Sequence, residues 1–255
     1  MIFRAKVNIH SQAINPQFLH MIPTQPYADF AENILKATFN DIQLLITAFT
    51  HRSYVNEHKK TAKEHNERLE FLGDAVLELV TTRFLYDNYS QPEGILTNWR
   101  SSLVRTESIG EAAQKNGFEA LLRLSRGEKR ASSERARLQI LANSYEAVVG
   151  ALYLDQGYES AKSFIENTLL ITFDDILKSG SWQDPKSRYQ EVVQSSEGFT
   201  PQYKVLSEEG PDHDKIFTVG VYVDGALRAQ GQGPSKQSAQ VAAAEKALRE
   251  TSQVA

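Results

Sequence analysis

Between residues 65 and 79 the apolar positions follow a helical rather than a strand period. Leu69, Leu72, Val76 and Leu79 recur at three- and four-residue spacing, which predicts an amphipathic helix with these four side chains as its buried stripe. Glu67, Glu70 and Asp74 fall at i, i+3 and i+7, within an arc of roughly 60° on the other side of that helix. Residues 140–154 are apolar nearly all round and predict a buried helix. Glu146 sits in its middle, with Asn143 one turn earlier on the same face. The helical pattern runs from Tyr27 to Leu177, with turn signals at Gln91-Pro92-Glu93-Gly94 and near Gly127.

Both ends of the chain read differently. Within residues 1–26, Phe3, Ala5, Val7 and Ile9 alternate with Arg4, Lys6, Asn8 and His10, a period of two that suits a short strand at an edge, or a frayed tail. Residues 178–183, Lys-Ser-Gly-Ser-Trp-Gln, read as a flexible linker from which Trp182 is able to dock on either side. Beyond it, residues 184–252 predict helix, three strands, helix. Asp184 caps the first helix with Pro185 in its first turn. Tyr203–Leu206, Phe217–Val223 and Leu227–Gln230 are strand-like, Asp224-Gly225 marks a hairpin turn, and Ser235 caps an alanine-rich last helix.

Three acids on one helix face repel one another. A hard divalent cation held among them turns that repulsion into a binding site, because such ions take oxygen ligands; the alternative is a solvated acidic face. A glutamate inside a buried helix also needs a partner, since an unpaired buried charge is costly. An arginine, a lysine or a metal ion meets that need for Glu146. Gly73, inside the first helix, costs about 1 kcal/mol in propensity relative to alanine, and a close helix contact is the usual compensation.

Composition narrows the classes. The 255 residues suffice for one or two domains with real cores. There is no cysteine, which excludes a disulfide framework, a thiolate zinc site and a cysteine nucleophile. No apolar run approaches the ~18 residues of a membrane span, and no basic segment followed by a hydrophobic stretch marks a secretory signal, so no membrane association is expected and the cytoplasm is the default. The net charge of −4 argues against nucleic acid as a partner until local patches are considered. Residues 184–255 hold eight Lys/Arg and ten Asp/Glu, so both halves are mildly acidic.

At this point the chain resembles the ribonuclease III family, from about Tyr27 to Glu250. Residues 65–77, His-Asn-Glu-Arg-Leu-Glu-Phe-Leu-Gly-Asp-Ala-Val-Leu, match its signature motif. Thr50-His51-Arg52-Ser53 precedes that motif, and Glu93-Gly94 with Leu96, Arg100, Leu103 and Val104 follows it. Leu122 to Glu128 and Ala142-Asn143-Ser144-Tyr145-Glu146-Ala147 complete the series. The resemblance implies a mainly α endonuclease domain over 27–177, then, after the linker 178–183, an α+β (α-β-β-β-α) double-stranded RNA-binding domain over 184–252.

It further implies an endonuclease for double-stranded RNA that uses Mg2+, with Mn2+ able to substitute, and leaves 5′-phosphate and 3′-hydroxyl ends during rRNA or mRNA precursor processing. Glu70, Asn143 and Glu146 are the implied metal ligands, Asp74 and Glu146 the catalytic pair, and Glu67 and Glu93 the outer shell. A homodimer is implied, with Phe71 and Gly73 at its interface. Gln190, Glu191 and His213 match the parts that reach into minor grooves, and Ser235 and Lys236 the helix start that meets phosphates, as the shape-based readout of A-form RNA requires.

Two positions depart from the family pattern. Asn143 stands where the family has aspartate and supplies an oxygen but no charge. Gln237 replaces a second lysine after Lys236. The first departure motivates an alternative reading: a catalytically weakened duplex-RNA-binding or ribosome-associated protein with the same fold.

Overall fold

The computed structural model describes residues 24–131, 133–180, 182–211 and 215–252. The strand expected over Phe3 to His10 and the candidate RNA contact His213 lie outside the described residues. Eleven helices come first: α1 (Gln25–Phe30), α2 (Ile42–Ala48), α3 (Arg52–Glu57), α4 (Glu67–Asn88), α5 (Glu93–Leu103), α6 (Thr106–Lys115), α7 (Arg126–Ala131), α8 (Glu134–Gln156), α9 (Tyr158–Thr168), α10 (Phe173–Ser179) and α11 (Pro185–Ser196). Then come β1 (Gln202–Glu209), β2 (Ile216–Val223), β3 (Ala226–Gly233) and α12 (Lys236–Ser252).

The described residues form two compact units. The first comprises residues up to Gln91 together with Leu103–Ile171, and the second comprises Pro92–Ser102 together with the chain from Thr172 onward. In the first unit α8 is the central element. Leu141, Tyr145, Val148, Val149 and Leu152 are all fully buried, as expected for a helix apolar nearly all round. Ser133 caps α8 by accepting from the Ala136 N–H at 3.2 Å. Around Tyr145 an aromatic cluster forms with Phe118 and Phe164 at ring distances of 5.8 and 5.1 Å.

Helix α4 packs lengthwise on α8 through two glycines. A Cβ on Gly73 would overlap the Glu146 carbonyl oxygen, and one on Gly150 would overlap that of Leu69. The close contact that offsets the propensity cost of Gly73 is therefore made within the chain. Gly73 is buried against α8, and Phe71, named with it for the expected interface between copies, is exposed two residues earlier. The expected buried stripe needs one correction. Leu69 and Val76 are buried, Leu72 is half-buried, and Leu79 is 58% exposed.

In the second unit a three-stranded antiparallel sheet in the order β1-β2-β3 packs against α11 and α12. Its core joins Tyr189 and Val193 of α11 to Val221, Val223 and Ala229 of the sheet and Ala243, Ala244 and Ala247 of α12. Val223 pairs with Ala226 across a two-residue turn in which Asp224 and Gly225 both have positive φ, 47° and 76°. That is the primed turn geometry suited to strand twist, and Asp-Gly supplies it at low cost. Asp184 caps α11 through the Ser187 N–H at 3.0 Å, as its sequence predicts. Trp182 docks edge-on to Trp99 of α5 at 5.9 Å, and Trp99 in turn meets Phe173 at 5.3 Å. Helix α5, read from sequence with the first part, belongs to this unit.

Candidate active site

The α4–α8 contact carries the acidic residues on its rim. Glu70 and Asp74 stand one turn apart on α4, and Glu146 projects from α8 toward both. Burial pushes the Glu146 carboxyl up to about 8, and the negative charges of Asp74 and Glu70 add to the shift. Burial likewise raises Glu70, with Glu67 and Asp74 reinforcing it. Among the described residues none of these three carboxylates forms an ion pair, so the arginine or lysine partner considered for Glu146 is not what offsets its charge.

The donor set therefore fits a hard divalent cation: three carboxylates on two packed helices, with uncompensated charge and oxygen ligands only. No three His, Cys, Asp or Glu side chains among the described residues are drawn together tightly enough to form a finished cage.

Asn143 meets this group in an unexpected orientation. Its side-chain amide donates to Glu70, which favours the Glu70 carboxylate. Its oxygen, expected to face an ion, accepts instead from Gln139 Nε2 at 2.7 Å. Gln139 was not singled out in the sequence, although its position one turn before Asn143 on the same helix face is the signal that finds it.

Glu67, the first residue of α4, lies beside Arg52 and His65. Arg52 Nη1 lies 3.2 Å and His65 Nδ1 3.8 Å from its carboxylate. Arg52 opens α3, which His51 caps by accepting from the Ser53 N–H at 3.2 Å. The Thr50–Ser53 segment is tied to Leu122–Glu128. The His51 N–H donates to the Arg123 carbonyl at 3.1 Å, Arg123 donates to Thr50 Oγ1 at 3.0 Å, and the Ser125 N–H donates to Ser53 Oγ at 3.1 Å. Two of the sequence motifs thus form one framework beside the signature helix. Glu93, the remaining outer-shell candidate, opens α5 in the second unit and accepts from Thr97 Oγ1 at 3.1 Å.

A basic stretch was missed in the sequence because the net charge hides it. Residues 123–137 carry six Arg/Lys and two Glu. Arg137 pairs with Glu119 and Arg126 lies 4.0 Å from Glu57. Lys129, Arg130 and Arg135 are exposed and form no ion pair among the described residues.

In the second unit Gln190 and Glu191 are exposed on α11 and, with Ser187, Gln194 and Ser195, line a shallow open groove. Ser235 Oγ accepts from the Ser238 N–H at 3.1 Å and so caps α12. Lys236, in the first turn of α12, is not free: its Nζ lies 3.0 Å from Glu208 of β1 and 5.6 Å from the centre of the Phe217 ring.

Comparison with known proteins agrees with this arrangement. Residues 41–172 match the model of the ribonuclease-III-like family, and residues 185–251 match that of the double-stranded RNA binding motif. The chain is 44% identical over 215 residues to Ribonuclease 3 of Enterococcus faecalis, covering 83% of this chain and 91% of that one. It is 45% identical over 222 residues to Ribonuclease 3 of Carboxydothermus hydrogenoformans, covering 85% and 92%. With a helical nuclease fold that carries acidic residues unpaired among the described residues, and a double-stranded RNA-binding fold following it in the chain, the chain belongs to the ribonuclease III family of double-stranded RNA endonucleases.

Proposed function

We propose that the chain hydrolyses double-stranded RNA with a divalent cation, Mg2+ or Mn2+, held by Glu70 and Glu146 with Asp74 beside them. The observation that carries this reading is that Glu70 and Asp74 of α4 and Glu146 of α8 neighbour one another with no ion-pair partner among the described residues, while burial, reinforced by the charges of Asp74 and Glu70, pushes Glu146 up to about 8. A divalent ion bound there supplies a nucleophile from water near neutral pH and stabilises charge on the leaving oxygen. The chain's own residues bind and orient. Glu70 and Glu146 bring oxygen donors from opposite helices, and Asp74 stands next to Glu146 to accept a proton or a hydrogen bond from water. Glu67, held by Arg52 and His65, acts at the rim.

Duplex binding falls to three sets of residues. The exposed α11 face with Gln190 and Glu191, and the α12 start with Ser235 and Lys236, suit minor-groove and phosphate contacts respectively. Lys129, Arg130 and Arg135 add the local positive charge that the net charge conceals. A homodimer is supported by α4, where Phe71, Ala75, Leu79 and Tyr86 are exposed within an arc of about 80°. Among the described residues no helix is long and apolar enough to cross a membrane. Cytoplasmic processing of ribosomal or messenger precursors, with 5′-phosphate and 3′-hydroxyl ends, completes the reading.

The test is cleavage of an end-labelled RNA duplex with Mg2+, without metal, and by Glu146→Gln. Staggered cuts that require both Mg2+ and Glu146 support it. The hydrogen bond that Asn143 directs to Glu70 favours one competing reading, a site weakened to binding alone. Duplex binding with no cleavage even in millimolar Mn2+ would establish that reading instead.

A further inference from the structure

Behind Asn143 runs an ordered chain of hydrogen bonds. Thr106, at the start of α6, donates its hydroxyl to Gln139 Oε1 at 3.4 Å. Gln139 Nε2 donates to Asn143 Oδ1 at 2.7 Å, and the Asn143 amide donates to Glu70. All bonds point the same way, toward the carboxylate. Each member before Glu70 is also able to run the other way, because a hydroxyl and a primary amide both donate and accept. An aspartate at 143 has no such choice. It accepts only, and it would present negative charge to Glu70.

We propose that Gln139 is a positioning residue that sets which end of the Asn143 amide faces Glu70, and that the Thr106–Gln139–Asn143 chain reverses when a divalent cation binds. The inference rests on the metal-dependent reading above. A bare carboxylate selects the N–H end of Asn143. A cation at Glu70 and Glu146 selects the oxygen end, and the displaced N–H group then finds its acceptor in Gln139 Oε1. The asparagine that departs from the family pattern thereby keeps an oxygen for the ion, and gains a donor that holds Glu70 in place when no ion is bound. Gln139 is exposed, so replacing it leaves the packing of α8 intact.

Calorimetric Mg2+ titration of the full chain, with 15N spectra of the side-chain amides, tests this. The variants are Gln139→Glu, Asn143→Ala and the double variant. Glutamate at 139 offers only acceptors and fixes the Asn143 oxygen forward. Gln139→Glu is expected to tighten Mg2+ binding about fivefold where Asn143 is present, the equivalent of one hydrogen bond. In the Asn143→Ala background, where only the added charge acts, less than about twofold is expected at a solvated position. The Asn143 and Gln139 amide signals of the native chain should shift together along one Mg2+ saturation curve. Equal gains in both backgrounds, or an Asn143 signal that ignores Mg2+, would overturn the relay while leaving the ion site standing. Absence of saturable Mg2+ or Mn2+ binding in every variant would remove the ion site itself, and the relay with it.

Discussion

Gly73 of α4 faces the backbone carbonyl of Glu146 so closely that no side chain fits between them. Alanine there would gain about 1 kcal/mol of helix propensity. It would also force α4 away from α8, because the obstructing atom is backbone rather than the end of a flexible side chain. Gly73→Ala is therefore expected to lose about 3 kcal/mol or more of folding stability in urea titration. Gly150→Ala, opposed by the Leu69 carbonyl, should behave alike. Gly94→Ala, in a helix with open space around it, should leave stability unchanged or raise it by up to about 1 kcal/mol. Equal tolerance at all three glycines would contradict the packing described here.

That same pair marks how far the sequence could be read. Helical spacing alone located Glu70, Asp74 and Glu146, because three acids on one face and an acid in an apolar helix are visible without coordinates. The glycine announced a close approach but not whose backbone it approached, since intramolecular and intermolecular contacts leave the same signature. Leu79 reads as core in the sequence because α4 carries apolar residues on more than one face, and periodicity does not tell a core from an exposed apolar row. The Asp224-Gly225 hairpin was legible because two adjacent residues with positive φ leave few choices of sequence. The Glu208–Lys236 pair was not, because a bulge after Val205 shifts the register of β1. The orientation of the Asn143 amide was hidden for another reason: it depends on which neighbour donates and which accepts, and Gln139 and Glu70 engage opposite ends of it.

The raised Glu146 carboxyl predicts an unusual pH dependence. A carboxyl whose folded pKa lies above its unfolded value leaves the folded state with the greater share of protons, so stability falls as pH rises. The window runs from the ordinary carboxyl value of 4.5 up to about 8. Without divalent metal, the Tm of the native chain should decline between pH 5 and pH 8.5. Glu146→Gln removes the buried charge and should flatten that decline, giving a higher Tm than the native chain at pH 8 while abolishing cleavage. Mg2+ should raise the native Tm more at pH 8 than at pH 5, because the ion and the proton compete for one carboxylate. Parallel pH profiles for the native chain and Glu146→Gln would remove the basis for a charged, uncompensated Glu146.

Lys236 binds Glu208 in the free protein, so an RNA phosphate must displace a carboxylate to reach it. Both groups are substantially exposed, and the pair itself contributes little to stability. Its effect falls on binding. Glu208→Gln should tighten duplex binding severalfold, an effect that shrinks as salt rises. Lys236→Gln should weaken binding irrespective of sequence and reduce the slope of log K against log salt by about 1. Filter binding at several KCl concentrations measures both. An unchanged salt slope in Lys236→Gln would mean that the ammonium stays with Glu208 in the complex.

Phe71 leaves 82% of its surface exposed in the second turn of α4, with Leu79 and Tyr86 further along the same face at 58% and 74%. An exposed aromatic on a rigid helix adds nothing to the stability of the isolated chain, so selection for folding alone does not explain it. Such a row suits burial against a second copy related by two-fold symmetry, where each Phe71 meets the partner's equivalent surface. Phe71→Asp should then convert a dimer to a monomer in sedimentation velocity at micromolar concentration. The monomer's circular dichroism should match the native chain, because the replaced side chain touches no core. Coordinated cutting of both strands should give way to single nicks or to no cleavage, since one chain carries one carboxylate cluster. A Phe71→Asp chain that still sediments as a dimer would place the interface elsewhere and leave this apolar row without a partner.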